Sequence, residues 1–310
     1  MNYWIVVFLV VLLFLLFCYR VFHKRIETFQ SNVPSNFDLE QLAEDVGIKD
    51  LFNKKSKYQD IRVIKFNPNK LGYDKCLILN NEMQLCNSDE RTYHEMIVHF
   101  PAYYIEELHN VLIVGGGDLM TLREVMRYKN IKNATMLELD KKVMDVSKKY
   151  FKVDTFEHDP RVNVMIGDAS KSIKKLPENF FDLVIIDSTE DSDNNSPLDA
   201  KWFFELCKTK MNSNGILVKN GYIVKDMTKK LKAQKRKIKN GLMDLFDHVT
   251  VYSADIPTYG DSNVYSFIMS SDAHGFREPI RNKEFAKLKK KFKDYDPTKQ
   301  KEYVYKPYNV

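Results

Sequence analysis

From residue 110 onward, carboxylates recur where apolar runs end. Asp118 follows VLIVGGG (111–117), Glu138 stands in ATMLELD (134–140), Asp168 ends VNVMIGD (162–168) and Asp187 ends LVIID (183–187). A carboxylate at a strand end can accept from ribose hydroxyls or an adenine amino group, attract an ammonium, or take a proton from one. Each acid alone also fits a helix cap or a solvated turn; the ordered series is what points to a site. The loop before Asp118 narrows the choice of ligand. Its three glycines, Gly115 to Gly117, let a ligand approach the backbone closely. A phosphate loop would need Gly-Lys-Ser/Thr after its spacer, and a dinucleotide loop would need glycine where Met120 stands. Asp118 would also repel a pyrophosphate.

A nucleoside sulfonium of the S-adenosylmethionine type carries no phosphate and suits this loop. Glu138 falls about twenty residues on, where an acid holds ribose hydroxyls. Asp168 is placed to meet adenine. The decarboxylated form fits Asp118 better than the intact one, because it offers the acid a bare propylammonium and no carboxylate. A methyltransferase that uses S-adenosylmethionine stays open on these residues alone.

The elements that must carry these residues follow from periodicity. NVLIVGG, ATMLELD, VNVMIGD, DLVIIDS and GILVKNG alternate with helical stretches. Buried parallel strands with crossover helices give this rhythm, so the fold class is α/β with a Rossmann-like sheet. HVTVYSADI and VYSFIMSS read as a closing antiparallel hairpin. Upstream, DIRVIKF, KCLILN and EMQLC read as a small antiparallel sheet, and DERTYHEMIVHFPAY as a helix ending near Pro101. SNFDLEQLAEDVGIKDLF (35–52) has caps and helical spacing, and is expected to form one short helix in a tether.

The chain has 310 residues, 44% hydrophobic, enough for one sizeable core. Its net charge of +6 is largely local, in the basic run 228–241, read as a solvated helix face. No stacking aromatics interleave that run, and no nucleic-acid partner is expected. Four scattered cysteines (Cys18, Cys76, Cys86, Cys207) predict free thiols in a reducing compartment. His94 and His99 read as helix-packing residues, and no Cys or Asp at ligand spacing suggests a metal. Residues 3–19 carry no charge and span about 25 Å as a helix, the short end for a membrane. Arg20, Lys24 and Arg25 follow, and no small-residue cleavage site is visible, which predicts an uncleaved anchor with the rest of the chain in the cytoplasm. The expected organisation is therefore an anchor over 1–22, a tether over 23–55, a β domain with its helix over 56–103, and a catalytic domain over 104–310.

Taken together, the motifs resemble the spermidine synthase family of polyamine aminopropyltransferases. SKYQDI (56–61), MQLCNSDERTYHEMIVHFP (83–101), VLIVGGGD with LREV (122–125), LELD (137–140), DPRVNVMIGDA (159–169), VIIDST (184–189), IPTY (256–259) and SFIMSS (266–271) follow in family order. The resemblance implies transfer of an aminopropyl group from decarboxylated S-adenosylmethionine, as co-substrate, to a diamine such as putrescine. No tightly bound cofactor is implied, and a homo-oligomer is implied by analogy. Asp187 then matches the catalytic acid, with Tyr93 and Tyr259 flanking the amine. Gln84 and Asp118 match positions on the aminopropyl part, Gln59 and Glu138 on the nucleoside, and Asp168 and Ala169 at adenine. Two stretches depart from the family pattern. Leu119 and Met120 replace a Gly-Gly pair after Asp118, and DSTEDSDNNSPLD replaces an Asp-Pro and Gly-Pro-Ala frame, with Glu190 where a second acid belongs and Asn220 where glutamine is common. These departures leave open a catalytically weak relative that binds a nucleoside or a partner.

Overall fold

The computed structural model describes residues 47–66, 74–189, 196–223, 238–259, 264–276 and 283–304. An N-terminal antiparallel sheet is formed by β1 (Ile48–Lys55), β2 (Asp60–Phe66), β3 (Lys75–Leu79) and β4 (Glu82–Cys86), paired in sequence order. Helix α1 (Glu90–Ala102) leads from it to a seven-stranded sheet. The large sheet holds β5 (Asn110–Gly115), β6 (Asn133–Glu138), β7 (Val162–Ile166), β8 (Phe181–Asp187), β9 (Met211–Ile223), β10 (His248–Asp255) and β11 (Val264–Ser271). Their order is β10-β11-β9-β8-β5-β6-β7. The strands from β5 to β9 run parallel to one another, and β11 runs antiparallel to both β9 and β10. Helices α2 (Met120–Val125), α3 (Lys141–Phe151), α4 (Ala169–Ser172) and α5 (Lys201–Lys210) follow β5, β6, β7 and β8. The alternation expected from residue 110 is thus present, with the antiparallel hairpin at its end.

Strand periodicity divides the core between two faces. Val111, Ile113, Leu183, Ile185 and Val218 join the cluster that contains Met96, Ile97 and Phe100 of α1. Leu112, Val114, Val184, Ile186 and Leu217 join Phe203, Phe204 and Cys207 of α5. On α1 the carboxylate of Glu95, fully buried, accepts from the backbone N–H groups of Lys293, Asp294 and Tyr295 at 2.9–3.1 Å. That bond set ties the C-terminal segment to the helix that carries the site.

Three expectations change. Residues 48–55 form an edge strand and not the end of a helix: IKDLFNKK pairs along β2, with a bulge between Asp50 and Phe52. Cys76 and Cys86 are joined in a disulfide, against the expectation of free thiols, whereas Cys207 is a buried thiol. The two cysteines face each other across β3 and β4. The membrane expectation is also corrected. Among the described residues no helix is long and apolar enough to cross a membrane; α1, with 13 residues, spans about 20 Å against the roughly 30 Å of a hydrocarbon core. The segment 3–19 lies outside the described residues, as does most of the basic run 228–241. No described helix supports the expected single-pass, cytoplasm-facing membrane location.

Candidate active site

Asp187 ends β8 directly across from Gly115, the last residue of β5. Strand order reverses at this point, with β6 on one side of β5 and β8 on the other. In open α/β sheets the crevice outside such a reversal is where ligands bind. Backbone contacts close the two strand ends together. The Gly116 N–H donates to the Asp187 carbonyl at 2.8 Å. Gly115 has φ of 86°, and a Cβ there would overlap the same carbonyl oxygen. Glycine is required here both for the left-handed backbone and for the close approach.

The Asp187 carboxylate is buried. Its Oδ1 accepts from the Tyr93 hydroxyl at 2.6 Å and its Oδ2 from the Thr121 hydroxyl at 2.5 Å. Burial, and then the neighbouring Asp118 charge, raise its pKa above the ordinary carboxylate value, while His94, Thr121 and Tyr93 pull it back. Burial, and then the Asp187 charge, push the Tyr93 hydroxyl well above its usual range, so it stays a donor.

Asp118 uses Oδ1 to accept the Met120 N–H at 2.7 Å, and its Oδ2 lies 3.4 Å from Nε2 of His94. His94 is 1% exposed, and its Nδ1 lies 2.6 Å from the Glu90 carbonyl and 3.1 Å from Glu90 Oε2. A carbonyl only accepts, so Nδ1 carries a hydrogen and Nε2 faces the acid. Desolvation lowers the imidazole pKa, but the Asp118 and Glu90 carboxylates outweigh it and hold it well above the usual value. Glu90 is in turn gripped by both terminal nitrogens of Arg123, at 2.9 and 2.8 Å.

Glu138, 7% exposed, completes the acidic group. Its Oε1 accepts from the Asp140 N–H at 2.7 Å, and a Cβ on Gly117 would stand 3.0 Å from its carboxyl carbon. Burial raises its pKa to about 7, with Asp140, Asp118 and Asp187 adding to the rise and the Asp140 N–H opposing it. Three strand ends, β5, β6 and β8, therefore place acids in one another's field beside a buried tyrosine. Such a crevice binds cations and can take a proton from one.

A profile of the spermine/spermidine synthase domain matches residues 90–278. The chain belongs to this family. Spermine synthase of Arabidopsis thaliana is 33% identical over 243 residues, covering 75% of this chain and 63% of that relative's length. The polyamine aminopropyltransferase of Alkaliphilus metalliredigens is 35% identical over 67% of this chain and 72% of its own. That of Buchnera aphidicola subsp. Schizaphis graminum is 35% identical over 79% of this chain and 82% of its own. A spermidine synthase solved in complex with the transition-state analogue AdoDATO superposes with a TM-score of 0.70 at 24% identity, over 84% of this chain and 86% of that one. The spermidine synthase of Thermotoga maritima superposes with 0.69 at 23% identity. At these identities the two structures speak for the fold: a Rossmann-like α/β sheet preceded by an antiparallel one.

Against the spermidine synthase pattern, the structure brings Tyr93, Gly115, Gly117, Asp118, Glu138 and Asp187 together. The ring of Tyr259 lies 6.0 Å from that of Tyr93, and its hydroxyl donates to the Gln84 carbonyl at 2.7 Å. The turn before it is pinned by Asp89, whose Oδ2 accepts from the Thr258 N–H at 2.6 Å. The Gln84 side chain itself turns to the Glu82 carbonyl at 3.2 Å. Gln59 donates to Asp140 Oδ2 at 3.2 Å, and the Asp140 N–H meets Glu138, so Gln59 stands on the Glu138 flank. Asp168 behaves differently. It caps α4, accepting from the Ser170 N–H at 2.9 Å and the Ser170 hydroxyl at 2.6 Å, with its side chain 43% exposed. Ala169 begins that helix. The backbone before Asp168 joins the Glu138 strand end, through Gly167 N–H to the Glu138 carbonyl at 2.8 Å. Glu190 lies outside the described residues.

Sequence reasoning missed His94, Thr121 and Glu90. His99 does pack, with Tyr128 and Glu124 each 3.0 Å from a ring nitrogen. His94 instead faces the acids: its ligand atom and those of Asp118 and Asp187 lie within 4.8 Å of one another, a cation-sized spacing assembled from three elements. One available signal was Glu90 and His94 at i and i+4 on one helix, which puts the two side chains in contact. Leu119 shows how the loop tolerates its departure. It keeps the left-handed backbone, with φ of 71°, and buries its side chain completely, while Met120 opens α2.

Proposed function

We propose that this protein transfers the aminopropyl group of decarboxylated S-adenosylmethionine to a diamine such as putrescine, giving spermidine and methylthioadenosine. Membership of the spermine/spermidine synthase family makes it an aminopropyltransferase of polyamine biosynthesis. The observation that carries the reading to a mechanism is the buried Asp187 carboxylate, held by Tyr93 and Thr121 beside Asp118.

An acceptor amine has an ordinary pKa near that of lysine, about 10, and arrives as an ammonium. Asp187 attracts it and takes one proton, which frees the nitrogen lone pair. The nitrogen attacks the methylene beside the sulfonium; the new C–N bond forms as the C–S bond breaks, and the electron pair neutralises the sulfur. Tyr93 and Tyr259 flank the amine and exclude water from it. Asp118, with Gln84, receives the ammonium of the aminopropyl arm. Glu138 and Gln59 hold the ribose side, and Asp168 with Ala169 the adenine side. Much of the rate comes from fixing two cations within one anionic crevice. Isothermal titration with intact and decarboxylated S-adenosylmethionine tests the donor. The decarboxylated form binds more tightly in this reading; tighter binding of the intact form refutes it in favour of methyl transfer.

A further inference from the structure

Lys219 and Asp199 form an ion pair that the mechanism above does not use. Lys219 lies on β9, where its partner on β8 is Ile186, the residue before Asp187. Its side chain is 4% exposed and that of Asp199 10%, with Nζ 2.9 Å from Oδ1. Asp199 closes the 3-10 turn Pro197–Asp199 that leads into α5. The lysine Nζ also donates to Asn220 Oδ1 at 3.2 Å. An ammonium only donates, so it fixes which end of the amide faces it. The amide nitrogen is thereby turned to donate to the Ser188 carbonyl at 2.8 Å, and it lies 3.4 Å from the Tyr265 hydroxyl. Ser188 directly follows Asp187. The Tyr265 ring lies 4.8 Å from Tyr259 and 5.6 Å from Tyr93, the two tyrosines assigned to the amine.

This linkage stands on one side of the sheet. Asp118 follows β5 and Glu138 ends β6, whereas Lys219, Asn220 and Tyr265 belong to β9 and β11, beyond Asp187 in the strand order. We propose that Lys219 is a positioning residue for the acceptor amine: by orienting the Asn220 amide it holds the Ser188 carbonyl, and with it the Asp187 end of β8 and the tyrosine wall. Asp199 neutralises the lysine so that its ammonium can stay buried. The proposal rests on the aminopropyl-transfer reading.

Steady-state kinetics of the full-length chain separate this role from a purely structural one. Lys219→Met keeps the length of the side chain and removes its charge, and it takes from Asp199 the ammonium that faces its Oδ1. Lys219→Met with Asp199→Asn removes both charges and should restore thermal stability toward wild type. In both variants the putrescine KM rises roughly tenfold or more, while the donor KM stays within about twofold of wild type. Asp199→Asn alone, which keeps the lysine–Asn220 bond, has the smaller effect on putrescine KM. A double variant that regains stability with an unshifted putrescine KM, or one in which both KM values rise together, overturns the positioning role. A wild-type enzyme that releases no methylthioadenosine with putrescine refutes the aminopropyl-transfer reading, and this proposal with it.

Discussion

Glu138→Gln exposes the electrostatics of the crevice through both stability and binding. The Glu138 carboxyl has its pKa raised from an ordinary 4.5 to about 7, chiefly by burial. Between those values the folded protein holds a proton that the unfolded chain has released. The stability that this carboxyl contributes is therefore complete below pH 4.5 and lost as pH rises through about 7. The rise from 4.5 to about 7, at about 1.36 kcal/mol per pH unit, puts the cost of ionising it in place at about 3 kcal/mol. Glutamine removes that cost and still accepts the Asp140 N–H. Urea unfolding at pH 8.5 should show Glu138→Gln more stable than wild type by up to about 3 kcal/mol, with the gap closing toward pH 5. The same variant loses the anionic acceptor for the ribose hydroxyls, so its donor KM should rise about tenfold or more. In wild type the donor KM should climb as pH falls below about 7; in the variant that dependence flattens. A variant less stable than wild type at pH 8.5, or a difference that is the same at both pH values, refutes the reasoning.

Tyr93→Phe removes the 2.6 Å bond to Asp187 and should lower kcat about tenfold with little change in donor KM. Because that bond favours the ionised carboxylate, the acidic limb of the kcat profile should move to higher pH; a limb that stays or moves down counts against the assignment. Leu119→Gly relieves a left-handed backbone worth about 1–2 kcal/mol but deletes a fully buried leucine worth about 2–5 kcal/mol. Unfolding curves should show a net loss of roughly 1–3 kcal/mol, and a gain in stability would contradict the packing described for this loop.

Strand ends were the most legible part of the chain. Gly115, Asp118, Glu138 and Asp187 could be placed because buried parallel strands read as apolar runs, and loops at their carboxyl ends carry ligands. Asp168 shares the same pattern, but spacing alone does not show that its half-exposed carboxylate also caps α4. Residues 48–55 were misread because the edge strand IKDLFNKK carries apolar residues at helical spacing, and pairing with β2 outweighs that preference. The disulfide was hidden by one residue. Asn80 and Asn81, both with positive φ, make a tight turn that would place Leu85 opposite Cys76 in an unbroken hairpin. A register shift between Leu77 and Ile78 brings Cys86 there instead. His94 meets Asp118 and Thr121 meets Asp187 across long stretches of chain, contacts that form only once α1 and α2 are packed beside the ends of β5 and β8.

The most direct measurement is the release of methylthioadenosine from decarboxylated S-adenosylmethionine in the presence of putrescine, with wild type and Asp187→Asn compared side by side. The account predicts release by wild type, matched by an equal yield of spermidine, and turnover at least about a hundredfold lower in the variant. No release by wild type, or equal turnover by Asp187→Asn, would contradict it.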